Sequence, residues 1–153
     1  MRFYTGVPDS REDPDLHRFW SRKPAAMGRY GVKVFSFPLR YRPLKIILPN
    51  GRVIKFKVGQ EKGVDLRIAV DVIRAVRDQT LDVAVLFTQD QDFSELAKEV
   101  HTIASEQKRT VGIASAFPFS SASRYKNGVR GTYWIRIDRL TYEACLDPWD
   151  YRA

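Results

Sequence analysis

Two carboxylates, Asp90 and Asp92, stand in the stretch Thr88-Gln89-Asp90-Gln91-Asp92-Phe93, directly after the apolar run Val83–Phe87. Carboxylates are the hard oxygen ligands that ions such as Mg²⁺ and Mn²⁺ prefer. In open α/β sheets, binding sites lie in the crevice beyond the carboxyl ends of the strands. A strand, an acid pair and a helix in succession therefore make a candidate divalent-metal site, which needs further acids from elsewhere in the chain. Asp65 is the better placed of two. It stands at the entrance of a helical pattern, where it is either an N-cap or a site carboxylate. Asp71 ranks below it, because it falls between Arg67 and Arg74 at helical spacing, the setting of an ordinary salt-bridged surface acid. His17 and His101 are far apart and belong to no ligand-spaced cluster, and the single cysteine, Cys145, excludes an internal disulfide and a Cys-rich zinc site.

The elements that must position these acids follow from periodicity. Val83–Phe87 is a continuous, partly β-branched apolar run, which suits a strand buried on both faces, as in a parallel sheet covered by helices. From Asp92 a helix is expected, with Phe93, Leu96, Ala97, Val100, Ile103 and Ala104 on its buried side, and Asp92 followed by Glu95 resembles a capping box. Upstream, Leu66, Ala69, Val70, Ile73 and Val76 mark the buried side of another helix, with Arg67, Asp71, Arg74 and Asp78 on the opposite stripe. Thr110–Ala114 and Tyr133–Ile137 read as strands, and Asp138–Leu146 as a short helical tail. Near the start, Arg2–Gly6 reads as a strand, Asp13-Pro14 as the opening of a helix weakened later by Pro24 and Gly28, and Val32–Phe37 as a second strand. Pro49-Asn50-Gly51 between two β-prone runs is a strong hairpin signal and predicts an excursion over residues 44–58. The alternation of strands and helices is that of an α/β protein. At 153 residues with 44% hydrophobic content, one domain over 1–153 is expected, ending in a tail over 139–153.

The formal net charge of +8 is unevenly spread. Residues 1–63 hold 14 Lys and Arg against 5 Asp and Glu, residues 64–123 hold 6 against 9, and residues 124–153 hold 6 against 4. Basic flanks hold a polyanion, while a carboxylate centre repels one unless divalent cations sit between. Arg40-Tyr41-Arg42 is a basic and aromatic cluster that can touch phosphate and stack a base, or simply form a solvated strand end. Lys45, Lys55 and Lys57 can cover a nucleic-acid groove or guard an exposed strand edge. The polar segment Phe117–Gly131, with Ser120, Ser121, Ser123, Arg124, Lys126, Asn127 and Arg130, can donate to phosphates or serve as a plain connection. No apolar run approaches the ~18 residues of a membrane span, and the first residues show no signal-peptide pattern, so a soluble, cytoplasmic protein without a membrane partner is expected.

Lys62-Gly63-Val64-Asp65 opening an apolar helix, followed by Thr88-Gln89-Asp90-Gln91-Asp92-Phe93 at the end of a strand, resembles the NYN domain family, the LabA-like branch of the PIN-like nucleases. The resemblance runs from about Arg2 to about Ile137. It implies a Rossmann-like, three-layer α/β domain with a mainly parallel sheet, into which the hairpin is inserted. It also implies an acidic cluster that binds Mg²⁺ or Mn²⁺ and hydrolyses RNA phosphodiesters. Asp65 and Asp90 would then be metal ligands and Asp92 a ligand or an orienter of water, the three together forming the catalytic set. Lys62 would neutralise a phosphate beside the metal, and Arg40, Arg42, Arg124 and Lys126 would contact RNA. The family's usual first strand, an apolar segment ending in Asp at the middle of the sheet, has no counterpart here, because Arg2–Gly6 resembles the second strand. Asp9 and Asp13 follow a different strand and do not replace that acid. The chain is expected to start further upstream, to close its sheet another way, or to have lost the reaction. Open strand edges that pair with a second copy of the chain are expected with it.

A metal-dependent endoribonuclease is thus the expected function, with a catalytically silent RNA-binding or protein-interaction module as the alternative. A Toprim-like domain lacks its partner glutamate in an earlier strand-end loop. Dinucleotide binding lacks a Gly-rich phosphate loop.

Overall fold

Two parallel strands joined by a helix open the chain: β1 (Arg2–Val7), α1 (Pro14–Arg29) and β2 (Lys33–Pro38), with Arg2 opposite Lys33 and Val7 opposite Pro38. The structure is a computed structural model and describes residues 1–151. Asp13 caps α1 by accepting the Leu16 N–H at 3.0 Å, and Pro14 sits in the first turn, where its missing N–H costs nothing. The helix runs through Pro24 to Arg29 instead of fading before it. Tertiary packing supports it: Trp20 stacks on Phe3 of β1 with ring centroids 5.7 Å apart, Phe19 meets Trp20 edge-on, and Ala26 is buried. The antiparallel hairpin is longer than the turn signal implied, with β3 (Arg40–Ile47) and β4 (Val53–Gln60) paired from Arg40 opposite Gln60 to Ile47 opposite Val53. Gly51 supplies the positive φ of +78° at its tip.

These elements, through Asp65 and with Trp149–Tyr151, form one compact unit; Leu66–Pro148 form another. The helix α2 (Val64–Arg77) leads into the second unit, which continues with β5 (Val83–Phe87), α3 (Phe93–Glu106), β6 (Gly112–Pro118), β7 (Tyr133–Ile137) and α4 (Arg139–Ala144). Its three strands form an all-parallel sheet in the order β5-β6-β7. All six apolar residues expected on α3 are buried, and they pack with Val76, Ala84, Leu86, Ile113 and Val129 in one core. The protein is therefore a mixed α/β structure with parallel sheets.

Three expectations are corrected. The strand β5 is covered on one face only: Ala84 and Leu86 are buried, whereas Val83, Val85 and Phe87 are 57%, 44% and 72% exposed. The helix α2 is rotated relative to the expected stripe. Leu66 and Val70 are exposed, Ile68 and Val72 pack on the core, and Asp71 is buried while its carboxylate meets Arg67 at 3.1 Å. Asp71 is ion-paired as expected, but it is an interior acid and not a surface one. The strand β6 extends past Ala114 to Pro118, so the polar segment begins after it.

At the other end of this unit, Asp138 caps α4 by accepting the Thr141 N–H at 2.8 Å, which holds its carboxyl below the ordinary value of 3.8. A depressed folded-state value means that the cap's contribution is complete above the unfolded value and is lost as pH falls through the lower folded one. Carbon-detected carboxyl titration by NMR is expected to place the Asp138 midpoint below the ordinary value of 3.8; a midpoint at or above that value would contradict the capping role.

Candidate functional site

The turn between β5 and α3 is built by its own side chains. Thr88 Oγ1 accepts the Asp90 N–H at 3.1 Å, and Asp90 Oδ1 accepts the Asp92 N–H at 2.9 Å. The backbone closes behind them, with the Phe93 N–H on the Asp90 carbonyl and the Ser94 N–H on the Gln91 carbonyl. The expected capping box does not form. Asp92 already has helical backbone angles (φ −62°, ψ −27°) and its side chain caps nothing, while Glu95 pairs with Lys98 at 2.6 Å. Roles are exchanged relative to expectation. Asp90 organises the turn through one oxygen, and both carboxylates are exposed on it.

Gln89 and Gln91, which alternate with the two acids, are engaged elsewhere. Gln89 Nε2 donates to the Asn127 carbonyl at 3.1 Å and to that of Tyr125 at 3.5 Å. Gln91 Nε2 donates to the Gly128 carbonyl at 3.1 Å and to the Gln89 carbonyl at 3.2 Å, while its Oε1 accepts the Arg130 N–H at 3.2 Å. The far side of the same segment is held by the core: the Val129 N–H donates to the buried Ser115 Oγ at 3.0 Å, and the Val129 carbonyl accepts from Trp134 Nε1 and Thr132 Oγ1. Val129 and Gly128 are buried, whereas Arg124, Lys126 and Arg130 are exposed. The guanidinium of Arg124 lies 5.5 Å from the centre of the Tyr125 ring. A cationic loop is thereby fastened to the acidic turn.

Asp90, Asp92, Arg124 and Lys126 thus share one unit. The remaining expected site residues, apart from Asp71, belong to the other. There, Gly63 adopts φ +82°, which a residue with a side chain rarely does, and turns the chain into α2 with Asp65 exposed in its first turn. Lys62 is exposed just before it. Arg40 begins β3 and is exposed, as is Arg42 two residues on. Asp71 is occupied by its ion pair with Arg67. Sequence reasoning passed over Gln89 and Gln91. Their signal was the strict alternation Gln-Asp-Gln-Asp directly after β5.

Among the described residues, no three His, Cys, Asp or Glu side chains converge as a ready-made metal cage. Two carboxylates on one turn still suit a Mg²⁺-type ion, which keeps several waters and is commonly held by one or two carboxylates together with substrate phosphates. A family model described as the NYN domain matches residues 1–131, a span that includes both the Asp65 and the Asp90-Gln91-Asp92 segments. Comparisons with curated proteins and with solved structures return no match.

Proposed function

The chain belongs to the NYN domain family, whose members are generally ribonuclease-like, and we propose from that premise that it is an endoribonuclease dependent on Mg²⁺ or Mn²⁺. The observation that carries the reading is the acidic turn with the cationic loop hydrogen-bonded to it. Asp90 and Asp92 hold the ion, with Asp65 as a further ligand, and Asp92 alternatively orients the attacking water. A bound divalent ion supplies charge neutralisation at the phosphoryl oxygens and acidifies a water for attack on phosphorus. Arg124 and Lys126 hold backbone phosphates beside the acids, and Lys62, Arg40 and Arg42 extend the contact with RNA. Binding of this kind is electrostatic and weakens with salt. The complete arrangement in this proposal is one Rossmann-like, three-layer domain over 1–153. The family match, which covers residues 1–131, supports a common domain for that span.

One observation favours a second reading. With no group of three ligands among the described residues, the same surface serves a catalytically inactive RNA-binding or protein-interaction module. Incubating a labelled single-stranded RNA with the chain separates the two. The ribonuclease reading expects cleavage with Mg²⁺ or Mn²⁺, loss of cleavage in EDTA, and its return when the ion is added in excess. Salt-sensitive binding without cleavage in either ion would overturn it in favour of the module.

No helix among the described residues is long and apolar enough to cross a membrane, and a cytoplasmic location belongs to the proposal. So does self-association. Among the described residues, β5 pairs on one side only, with β6, and its sequence carries none of the lysines that line the β3–β4 hairpin. Unguarded edges of this kind recruit further strands. Native mass spectrometry is expected to show a dimer or larger species, and a stable monomer at micromolar concentration would contradict it.

A further inference from the structure

We infer that Gln89 and Gln91 are positioning residues that lock the loop carrying Arg124, Lys126 and Arg130 into a phosphate track alongside the acidic turn, the ligand being the sugar-phosphate backbone of single-stranded RNA. The inference rests on the ribonuclease reading and adds to it the means by which substrate is aligned. The geometry is specific to amides. Gln91 donates to the Gly128 carbonyl and accepts from the Arg130 N–H, so one side chain grips the loop backbone at two points. A carboxylate of the same length has no proton to donate. Gln89 holds the loop just upstream of that grip, through the carbonyls of Asn127 and Tyr125. With the backbone carbonyls engaged toward the turn, the three cationic side chains stay in solvent.

The alternation gives this a chemical sense. Asp90 and Asp92 repel a polyanion, while the residues between and before them fasten cations next to the repulsion. A phosphate run can then be held by the loop while one linkage lies at the acids. Fixing the loop before RNA arrives removes the ordering cost from the binding step. Phosphate contact requires no base recognition, so the track is indifferent to sequence.

The test uses the full chain in EDTA, where cleavage is not expected, with a labelled oligouridine as probe. Gln91→Glu and the double variant Gln89→Ala/Gln91→Ala are compared with wild type and with Ile103→Val. The last weakens the buried core at a site 1% exposed that takes no part in the hydrogen bonds between the turn and the loop. Two readouts are taken: trypsin cleavage after Arg124, Lys126 and Arg130, and RNA affinity against salt. The inference expects faster loop cleavage in the Gln variants and affinity lower by about 5- to 10-fold at low salt. It also expects a salt slope shallower by roughly 0.7 for each phosphate that the loop no longer neutralises. Ile103→Val should leave slope and loop cleavage unchanged. A freed loop with an unchanged slope, or a loop as protected as in wild type, overturns the inference while the ribonuclease reading stands. A wild-type chain that binds no RNA in EDTA overturns the inference, while the ribonuclease reading is decided by cleavage with Mg²⁺ or Mn²⁺.

Discussion

Asp90→Asn is expected to slow divalent-ion-dependent RNA cleavage by about 100-fold or more, with the fold intact. The reason lies in what the substitution keeps and what it removes. Asp90 Oδ1 accepts the Asp92 N–H, and an asparagine offers a carbonyl oxygen at the same place, so the turn leading into α3 is preserved. Lost is the negative charge and with it a hard ligand. Charge stabilisation by a bound ion contributes several kcal/mol at the transition state, and each ~1.4 kcal/mol lost is a factor of ten in rate. In EDTA the same variant should bind RNA as well as wild type or more tightly, since one repulsive charge has gone. Single-turnover rates and equilibrium binding measured side by side check this. A rate within about fivefold of wild type would remove Asp90 from the catalytic set.

Gly128→Ala is expected to destabilise the protein by about 3 kcal/mol, at the upper end of what one inserted methyl group costs in a packed interior. A Cβ at Gly128 would lie 2.3 Å from Ser115 Oγ, 2.7 Å from Trp134 Cδ1 and 2.8 Å from Phe117 Cε1. None of these can retreat cheaply. Ser115 Oγ is committed to the Val129 N–H and to Thr132, the Trp134 indole donates to the Val129 carbonyl, and Phe117 is 1% exposed. The collision falls at the root of the cationic loop, so RNA affinity should drop along with stability. Phe117→Leu, costly by itself, should cost less in the Gly128→Ala background because it makes room for the methyl, a coupling that a double-mutant cycle by chemical denaturation reads directly. Strict additivity would show that the methyl is accommodated elsewhere.

How far the sequence discloses this molecule depends on the range of the interactions. The helix α3 was legible in full because six apolar residues at helical spacing meet one core. The position of Asp90 and Asp92 at a strand end was legible for the same reason, as was the hairpin from Asn50-Gly51. Burial was harder to read where a charge is neutralised in place: Asp71 looks solvated by its neighbours in sequence, yet its pair with Arg67 lets it enter the interior. In β5, five apolar residues in a row cannot say how many faces will be covered, and only one is. The grip of Gln89 and Gln91 on the loop joins residues 36 to 39 positions apart. Composition carries no trace of such long-range bonds, and only the alternation with the acids hinted at a second direction for those side chains.

The central claim is that the carboxylates leaving β5 hold the divalent ion. Backbone amide NMR spectra recorded as substoichiometric Mn²⁺ is added test it without reference to turnover, because paramagnetic broadening falls off steeply with distance from the ion. The account expects the amides of Thr88 to Phe93 to broaden first, and Asp90→Asn to abolish the effect. Broadening centred elsewhere in the chain, or spread evenly over the exposed acids and unchanged by Asp90→Asn, would contradict it.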